Sequence, residues 1–118
     1  MSLVTPQRLR AIYTMLCVMP PFNRWGLPEP KLLKFSVLTG DDHAEYSVDF
    51  KDRPEIAVNA DTHLTLAQVI ESVAHEMVHL RQDALERLPD RHERQHNAEF
   101  RKMARSVCQQ LGFDVQRF

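Results

Sequence analysis

The sequence predicts an α+β domain, because the spacing of its apolar residues changes twice along the chain. Up to residue 19 the apolar residues recur at the helical spacing of three and four positions. Between residues 33 and 59 they alternate with polar residues, as in strands that bury one face. Helical spacing then returns in two separate stretches. We therefore expect an N-terminal helix, a small three-stranded antiparallel sheet, a long helix and a C-terminal helix.

Length and composition indicate one globular domain, residues 1–118. The chain is 43% hydrophobic and 26% charged, and its net charge of −1 gives no general attraction to nucleic acid or anionic membranes. No apolar run approaches a membrane span, and the N-terminus lacks a secretory signal pattern, which favours a cytoplasmic protein. Cys17 and Cys108 are far apart in the sequence, so we expect reduced thiols rather than a disulfide or metal ligands.

The first helix is predicted to start at Thr5 and Pro6, since threonine is a favourable N-cap and proline suits the first helical position. Pro20 and Pro21 end the helical pattern. The apolar face comprises Leu9, Ile12, Tyr13, Leu16 and Met19. In the proline-rich connector that follows, we expect Trp25 to pack in the core, with the lining of a substrate groove as the alternative.

Three strands are predicted next, separated by turn-forming sequences at residues 39–42 and 52–54. The first two strands have apolar positions at Leu33, Phe35 and Val37, and at Tyr46, Val48 and Phe50, and the third strand comprises Ile56, Ala57, Val58 and Asn59. Short connections between successive strands favour an antiparallel meander. His43 and His63 fall in the loops, and we expect them to be exposed rather than metal ligands.

The long helix begins at a capping box, in which Thr65 is the N-cap and Gln68 follows three residues later. Its pattern continues to about Arg87. The side predicted to pack on the sheet comprises Val69, Ile70, Val73, Met77, Leu80 and Ala84. The opposite side, predicted to face a cleft, carries Glu71, Ser72, His75, His79 and Gln82.

The last helix follows a break at residues 88–90 and a highly charged stretch. Gly112 is a natural C-terminal stop for this helix, because glycine readily adopts the left-handed conformation that ends helices. The predicted apolar face consists of Phe100, Met103, Ala104, Val107 and Leu111.

The long helix contains the sequence His75-Glu76-Met77-Val78-His79, which is typical of a hydrolytic metal site. Histidines four positions apart lie on one face of a helix, so their imidazoles can bind one ion. The glutamate after the first histidine can then accept a proton from a metal-bound water. The alternative is a pair of solvated histidines, but the apolar residues around the motif favour a largely buried helix.

A catalytic zinc needs a third protein ligand. The short spacing of the metzincins is excluded, because Leu85 stands where their third histidine would be. Three candidates are left, His92, His96 and Glu99. We favour His96 over Glu99, because neutral imidazole is the commonest protein ligand of metals and a third one leaves the site positively charged. His92, in the charged connector, is the weakest of the three.

The motif and the later sequence His96-Asn97-Ala98-Glu99-Phe100 together resemble the SprT-like, or Spartan-type, zinc metallopeptidase family. That family pairs the motif with a later His-Gly-Pro-Glu-Phe or similar stretch, whose histidine is the third zinc ligand. Here Asn97-Ala98 replaces Gly-Pro, and no four-cysteine zinc ribbon follows the core. The order of elements is similar from about Thr5 to Gly112, so the resemblance implies a minimal zincin-like catalytic core.

The resemblance implies a zinc-dependent peptidase in which His75, His79 and His96 bind Zn²⁺ and Glu76 is the general base. Glu99 and Phe100 would then support the ligands. The substrate would be a protein or peptide. Candidates for a further donor to the reaction's oxyanion are Tyr46, Arg81 and Arg94.

Two alternatives belong to other functional classes. A non-catalytic zinc-binding module is the first, although structural zinc sites usually have four protein ligands and are rich in cysteine. A weakly DNA-associated protein is the second, because the C-terminal third carries several basic residues. They are Arg81, Arg87, Arg91, Arg94, Arg101, Lys102 and Arg105. Acidic residues are interspersed among them, which favours a solvated face over a DNA-binding one.

Overall fold

The computed structural model describes residues 2–49, 51, 53–85 and 96–118, and over these residues the fold is α+β, as predicted. The elements in chain order are α1 (Pro6–Cys17), β1 (Lys34–Leu38), β2 (Ala44–Val48), β3 (Pro54–Asn59), α2 (Leu66–Ala84) and α3 (Ala98–Leu111). Two short 3₁₀ helices, Phe22–Arg24 and Pro30–Leu32, lie in the connector after α1. None of the helices in these ranges combines the length and the apolar composition needed to cross a membrane.

The sheet is mixed, so the predicted antiparallel meander is wrong. Its strand order is β1-β3-β2, with β1 parallel and β2 antiparallel to β3. Ile56 of β3 therefore lies between Phe35 of β1 and Tyr46 of β2. The burial of β3 agrees with a central position, because Ile56, Ala57, Val58 and Asn59 are all buried in succession. A continuous run of buried residues is typical of an interior strand. The predicted meander, in contrast, required strands that are consecutive in sequence to pair with each other.

Asn59, which is fully buried, holds the connection between β1 and β2 across the end of β3. Its side-chain amide donates to the main-chain oxygens of Gly40, at 2.9 Å, and Asp42, at 2.6 Å. These bonds satisfy a buried amide that would otherwise destabilise the fold. The connection between β1 and β2 is therefore bonded to the end of β3, which lies between these two strands in the sheet.

Helix α1 begins and packs as predicted. The Thr5 hydroxyl accepts a hydrogen bond from the Arg8 main-chain nitrogen at 3.1 Å, and Pro6 is the first helical residue. Leu9, Ile12, Tyr13 and Leu16 form its buried face.

Trp25 in the connector packs edge-on against Phe22, with ring centroids 5.0 Å apart, which agrees with the packing interpretation.

Helix α2 is the central element of the core, in contact with α1, α3, β2 and β3. The predicted capping box is present, because Thr65 and Gln68 each accept the other's main-chain N–H. The helix ends at Ala84, and Arg87 lies outside the described residues.

The prediction that one side of α2 is turned away from the core is wrong for Ser72, His79 and Gln82. All three are buried, with His79 only 2% exposed and Gln82 fully buried. The loop before α2 covers Ser72, and Phe100 of α3 stacks on His79. A helix buried on most of its surface can hold polar side chains only where each has a hydrogen-bond partner.

Helix α3 starts after Asn97, whose side chain accepts the Phe100 main-chain N–H at 3.0 Å. It ends at Gly112, which is left-handed with φ 78°, as predicted. The residues after Gly112 turn back toward α2, and this return brings Phe118 against His75.

Candidate metal centre

The structure brings His75, His79 and His96 together at one point. Nε2 of His96 lies 3.3 Å from Nε2 of His75 and 3.0 Å from Nε2 of His79. The ligand atoms of all three residues lie within 4.8 Å of one another, close enough to bind one metal ion. Glu99 is not part of this group, and His92 lies outside the described residues.

Two helices supply the three imidazoles. His75 and His79 are one turn apart on α2, so their rings project from the same face. His96 immediately precedes the N-cap of α3, and its main-chain oxygen accepts a hydrogen bond from Arg101 at 3.0 Å. Because the Asn97 cap fixes where α3 begins, the local structure also fixes the direction from which His96 approaches α2.

Hydrogen bonds at the other ring nitrogens orient two of these imidazoles. Nδ1 of His75 lies 2.7 Å from the main-chain oxygen of Phe118, and Nδ1 of His79 lies 2.7 Å from the side-chain oxygen of Gln82. Both partners are acceptors, so each Nδ1 carries the proton. Each Nε2 then presents its lone pair toward the cluster, which is the tautomer that metal ligands require.

Phe100 forms an apolar base under the three imidazoles. Its ring centroid lies 4.6 Å from that of His79, 4.6 Å from that of His96 and 5.0 Å from that of His75. Phe100 is itself 4% exposed. The apolar base restricts the rings to orientations that converge and keeps water from reaching the cluster from the core side.

Glu76 lies next to His75 on α2 and lines the same cleft as the three imidazoles. It is only 5% exposed. Burial raises the pKa of its carboxyl to about 8, and the nearby carboxylate of Glu45 acts in the same direction. The side chain can therefore exchange a proton near neutral pH, as a general base or acid must.

The cleft has a volume of about 390 Å³ and is open on one side. One wall is the edge strand β2, and the floor is α2 with the imidazole cluster. Arg117 and Phe118 form part of the remaining wall. Such a cleft is large enough to receive part of an extended peptide at the cluster.

The three candidates for an additional donor have other partners or lie outside the described residues. The Tyr46 hydroxyl lines the cleft but donates to Asp83 Oδ2 at 2.5 Å. The Arg81 guanidinium donates to the main-chain oxygen of Trp25. Arg94 lies outside the described residues.

Cys17 and Cys108 are free thiols, as predicted, and neither belongs to the metal-binding group.

His63 was predicted to be exposed, and this prediction is wrong, whereas His43 is exposed as expected. His63 is 3% exposed, its Nδ1 donates to the Asn59 main-chain oxygen at 2.7 Å, and its Nε2 accepts from the Ser72 hydroxyl at 2.7 Å. The ring stacks on that of His43 at 4.0 Å. His63 therefore anchors the loop after β3 to α2.

Two groups that orient the imidazole cluster have no role in the sequence-based prediction. Gln82 shares a face of α2 with His79, as the helical spacing predicts, and its position three residues after His79 could have suggested the hydrogen bond. The main-chain oxygen of Phe118 acts across 43 positions of sequence and has no local signal.

Comparisons of this chain with protein-family models, with curated proteins and with solved structures found no match. The inference of function therefore depends on the geometry of the metal centre and on the sequence motif.

Proposed function

We propose that this protein is a zinc-dependent metallopeptidase of the SprT-like type, in which His75, His79 and His96 bind Zn²⁺ and Glu76 is the general base. The observation that supports the proposal most strongly is the convergence of three imidazole Nε2 atoms beside a buried carboxyl in an open cleft. A cytoplasmic location belongs to the same proposal.

The donor set fits zinc. With Zn–N bonds of about 2.0–2.1 Å and tetrahedral angles, two imidazole nitrogens lie about 3.3–3.4 Å apart. The separations of 3.3 Å and 3.0 Å that involve His96 are close to this value. Three nitrogen ligands, with no carboxylate or thiolate in the group, are typical of a catalytic site that keeps one position for water.

When bound, zinc would supply a Lewis acid that lowers the pKa of a water molecule toward about 7. Glu76 would accept the proton of that water as it attacks a peptide carbonyl, and would then transfer the proton to the leaving amine. A divalent cation nearby would also favour the ionised form of Glu76, which burial otherwise disfavours. His75 and His79 would stay in the Nδ1–H tautomer through their bonds to Phe118 and Gln82.

The substrate in this proposal is an extended peptide. Strand β2 pairs with β3 on one side only, so in the described sheet its other edge presents unpaired main-chain groups. Residues 43–46 of this edge border the cleft. An extended chain could hydrogen-bond to this edge as an added strand and pass over the imidazole cluster.

The proposal predicts that Glu76→Gln abolishes hydrolysis and keeps the metal. Removal of a general base typically lowers the rate by about 10²–10⁴-fold. The purified, unchelated protein should contain about one zinc per chain, measured by atomic spectroscopy, and should digest an unfolded protein such as casein in a chelator-sensitive reaction.

Glu29→Gln is the matched control, because it makes the same chemical change at an exposed carboxylate outside the cleft and the metal-binding group. This variant should keep both zinc and activity. Equal digestion by Glu76→Gln and the parent would contradict the assigned base. A parent that binds zinc but hydrolyses no peptide would favour a non-catalytic zinc-binding module.

A further inference from the structure

Residues 114–118 form a compact turn, which we call the C-terminal turn, beside the metal centre. The main-chain nitrogens of Arg117 and Phe118 both donate to the Asp114 main-chain oxygen, at 3.1 and 3.0 Å. The Asp114 side chain accepts the Gln116 N–H at 2.9 Å. These bonds define the path of the backbone up to Phe118.

An ion pair fastens the C-terminal turn to α2. The Arg117 guanidinium donates to both carboxylate oxygens of Glu71, at 3.2 Å and 2.9 Å. Glu71 lies one helical turn before His75 on α2. Paired donors on a planar guanidinium fix direction as well as distance, unlike a single contact between two charges.

Phe118 then meets His75 in two ways. Its main-chain oxygen accepts the Nδ1–H of His75 at 2.7 Å, and its ring lies 5.2 Å from the imidazole. The Phe118 ring also stacks on that of Phe113, at 5.7 Å. The His75 side chain therefore projects from α2, and the C-terminal turn contacts its imidazole ring on the other side.

We propose that Arg117 is a positioning residue of the metal centre, which acts through Glu71 and the main-chain oxygen of Phe118 to hold His75 as a ligand. The two-point contact on Glu71 sets the position of the C-terminal turn along α2, and that position places the Phe118 main-chain oxygen at His75 Nδ1. Acceptors at the second nitrogen of a ligating histidine fix its tautomer and increase its affinity for metal. The inference depends on the metal centre of the proposed function but not on catalysis.

The test is the zinc affinity of Arg117→Ala, measured by competition with a chromogenic chelator. Loss of a group that orients a ligand typically costs about 10–100-fold in metal affinity. Arg117→Ala loosens the acceptor without removing it, so we expect about tenfold weaker binding. Arg53→Ala is the matched control, since it also removes an exposed arginine paired with a carboxylate, Asp49, and should leave zinc affinity unchanged.

Two more variants separate positioning from loss of charge. Glu71→Gln should weaken zinc binding to a similar extent, and the double variant should be no weaker than either single one, because both changes break the same contact. Asp114→Ala, which disturbs the C-terminal turn and keeps Arg117, should also weaken binding. Unchanged circular dichroism and melting temperature would show that each variant folds.

The tautomer of His75 gives a readout that does not need metal. In long-range ¹H–¹⁵N spectra of metal-free protein, the parent should show the His75 proton on Nδ1, and Arg117→Ala should show a mixture of tautomers. Zinc affinity within twofold of the parent, or an unchanged tautomer, would overturn the inference. If the parent hydrolyses no peptide but Arg117→Ala still binds zinc more weakly, the proposed function is contradicted and this inference stands.

Discussion

Single residues in this protein differ in environment even when they share a role. His79 is 2% exposed and bonded to the buried Gln82, whereas His75 is half-buried and bonded to a main-chain oxygen from the C-terminal turn. The two histidines of the cluster that lie on α2 are therefore oriented by different means. The orientation of His79 depends on α2 itself, and that of His75 depends on a contact far away in sequence.

His63 gives a prediction at the same scale, because burial lowers its pKa below the ordinary 6.5, assisted by the neighbouring His43. The unfolded chain takes up a proton near pH 6.5 that the folded chain binds only at lower pH. Stability contributed by neutral His63 is therefore present above pH 6.5 and is lost as pH falls through the lower, folded-state pKa.

We expect His63→Gln to flatten the pH dependence of the free energy of unfolding below pH 6.5, measured by urea denaturation in the presence of chelator. His43→Gln is the control and should keep most of the slope, because burial of His63 is the larger cause of its pKa shift. Identical slopes in the parent and His63→Gln would show that His63 does not titrate as inferred.

At the scale of elements, the contact between β2 and α2 determines one wall of the cleft. The Tyr46 hydroxyl donates to Asp83 at 2.5 Å, and both side chains are partly buried. Burial raises the pKa of Tyr46 above its ordinary value, assisted by the hydrogen bond to Asp83. The hydroxyl therefore keeps its proton at neutral pH and stays a donor.

Tyr46→Phe should lower the free energy of unfolding by about 1.5–3 kcal/mol, the usual range for a hydrogen bond to a charged group. Chemical denaturation measures this change. In a double-mutant cycle with Asp83→Ala, the two losses should be less than additive, because each removes the same bond. Full additivity would mean that the two side chains do not interact in solution.

At the scale of the whole molecule, the three-histidine cluster joins α2 to α3, so a metal ion bound there should stabilise the fold. A ligand at 100 times its dissociation constant adds about 2.7 kcal/mol to the free energy of unfolding. For a domain of this size, that corresponds to a rise in melting temperature on the order of 10 °C.

We therefore expect a chelator to lower the melting temperature of the parent, followed by calorimetry, and added zinc to restore it. His96→Ala should melt at the same temperature with and without zinc, since it lacks the ligand from α3. A parent whose melting temperature does not respond to zinc would contradict the metal centre.

Much of the fold could be predicted from local signals. Thr5 and Pro6, the Thr65–Gln68 box and Gly112 each determine a helix end through neighbouring backbone groups, and the structure agrees at all three. The three histidines of the cluster were also predicted, two from helical spacing and His96 partly from the family resemblance.

The remaining features depend on contacts between distant parts of the chain. The order of the strands depends on the pairing of β1 with β3, which are not consecutive in sequence, and alternation within each strand does not reveal it. The burial of His63 depends on a partner on α2, Ser72. The bond from His75 to Phe118 joins residues that are separated by the second half of α2 and all of α3.

The sequence distance between the ligands has a consequence for how the chain can vary. His79 and His96 are 17 positions apart, so an ion bound by both would act as a reversible cross-link that closes a loop of that length. The entropy of loop closure grows only with the logarithm of loop length. Insertions in the segment between the end of α2 and His96 should therefore weaken metal binding very little.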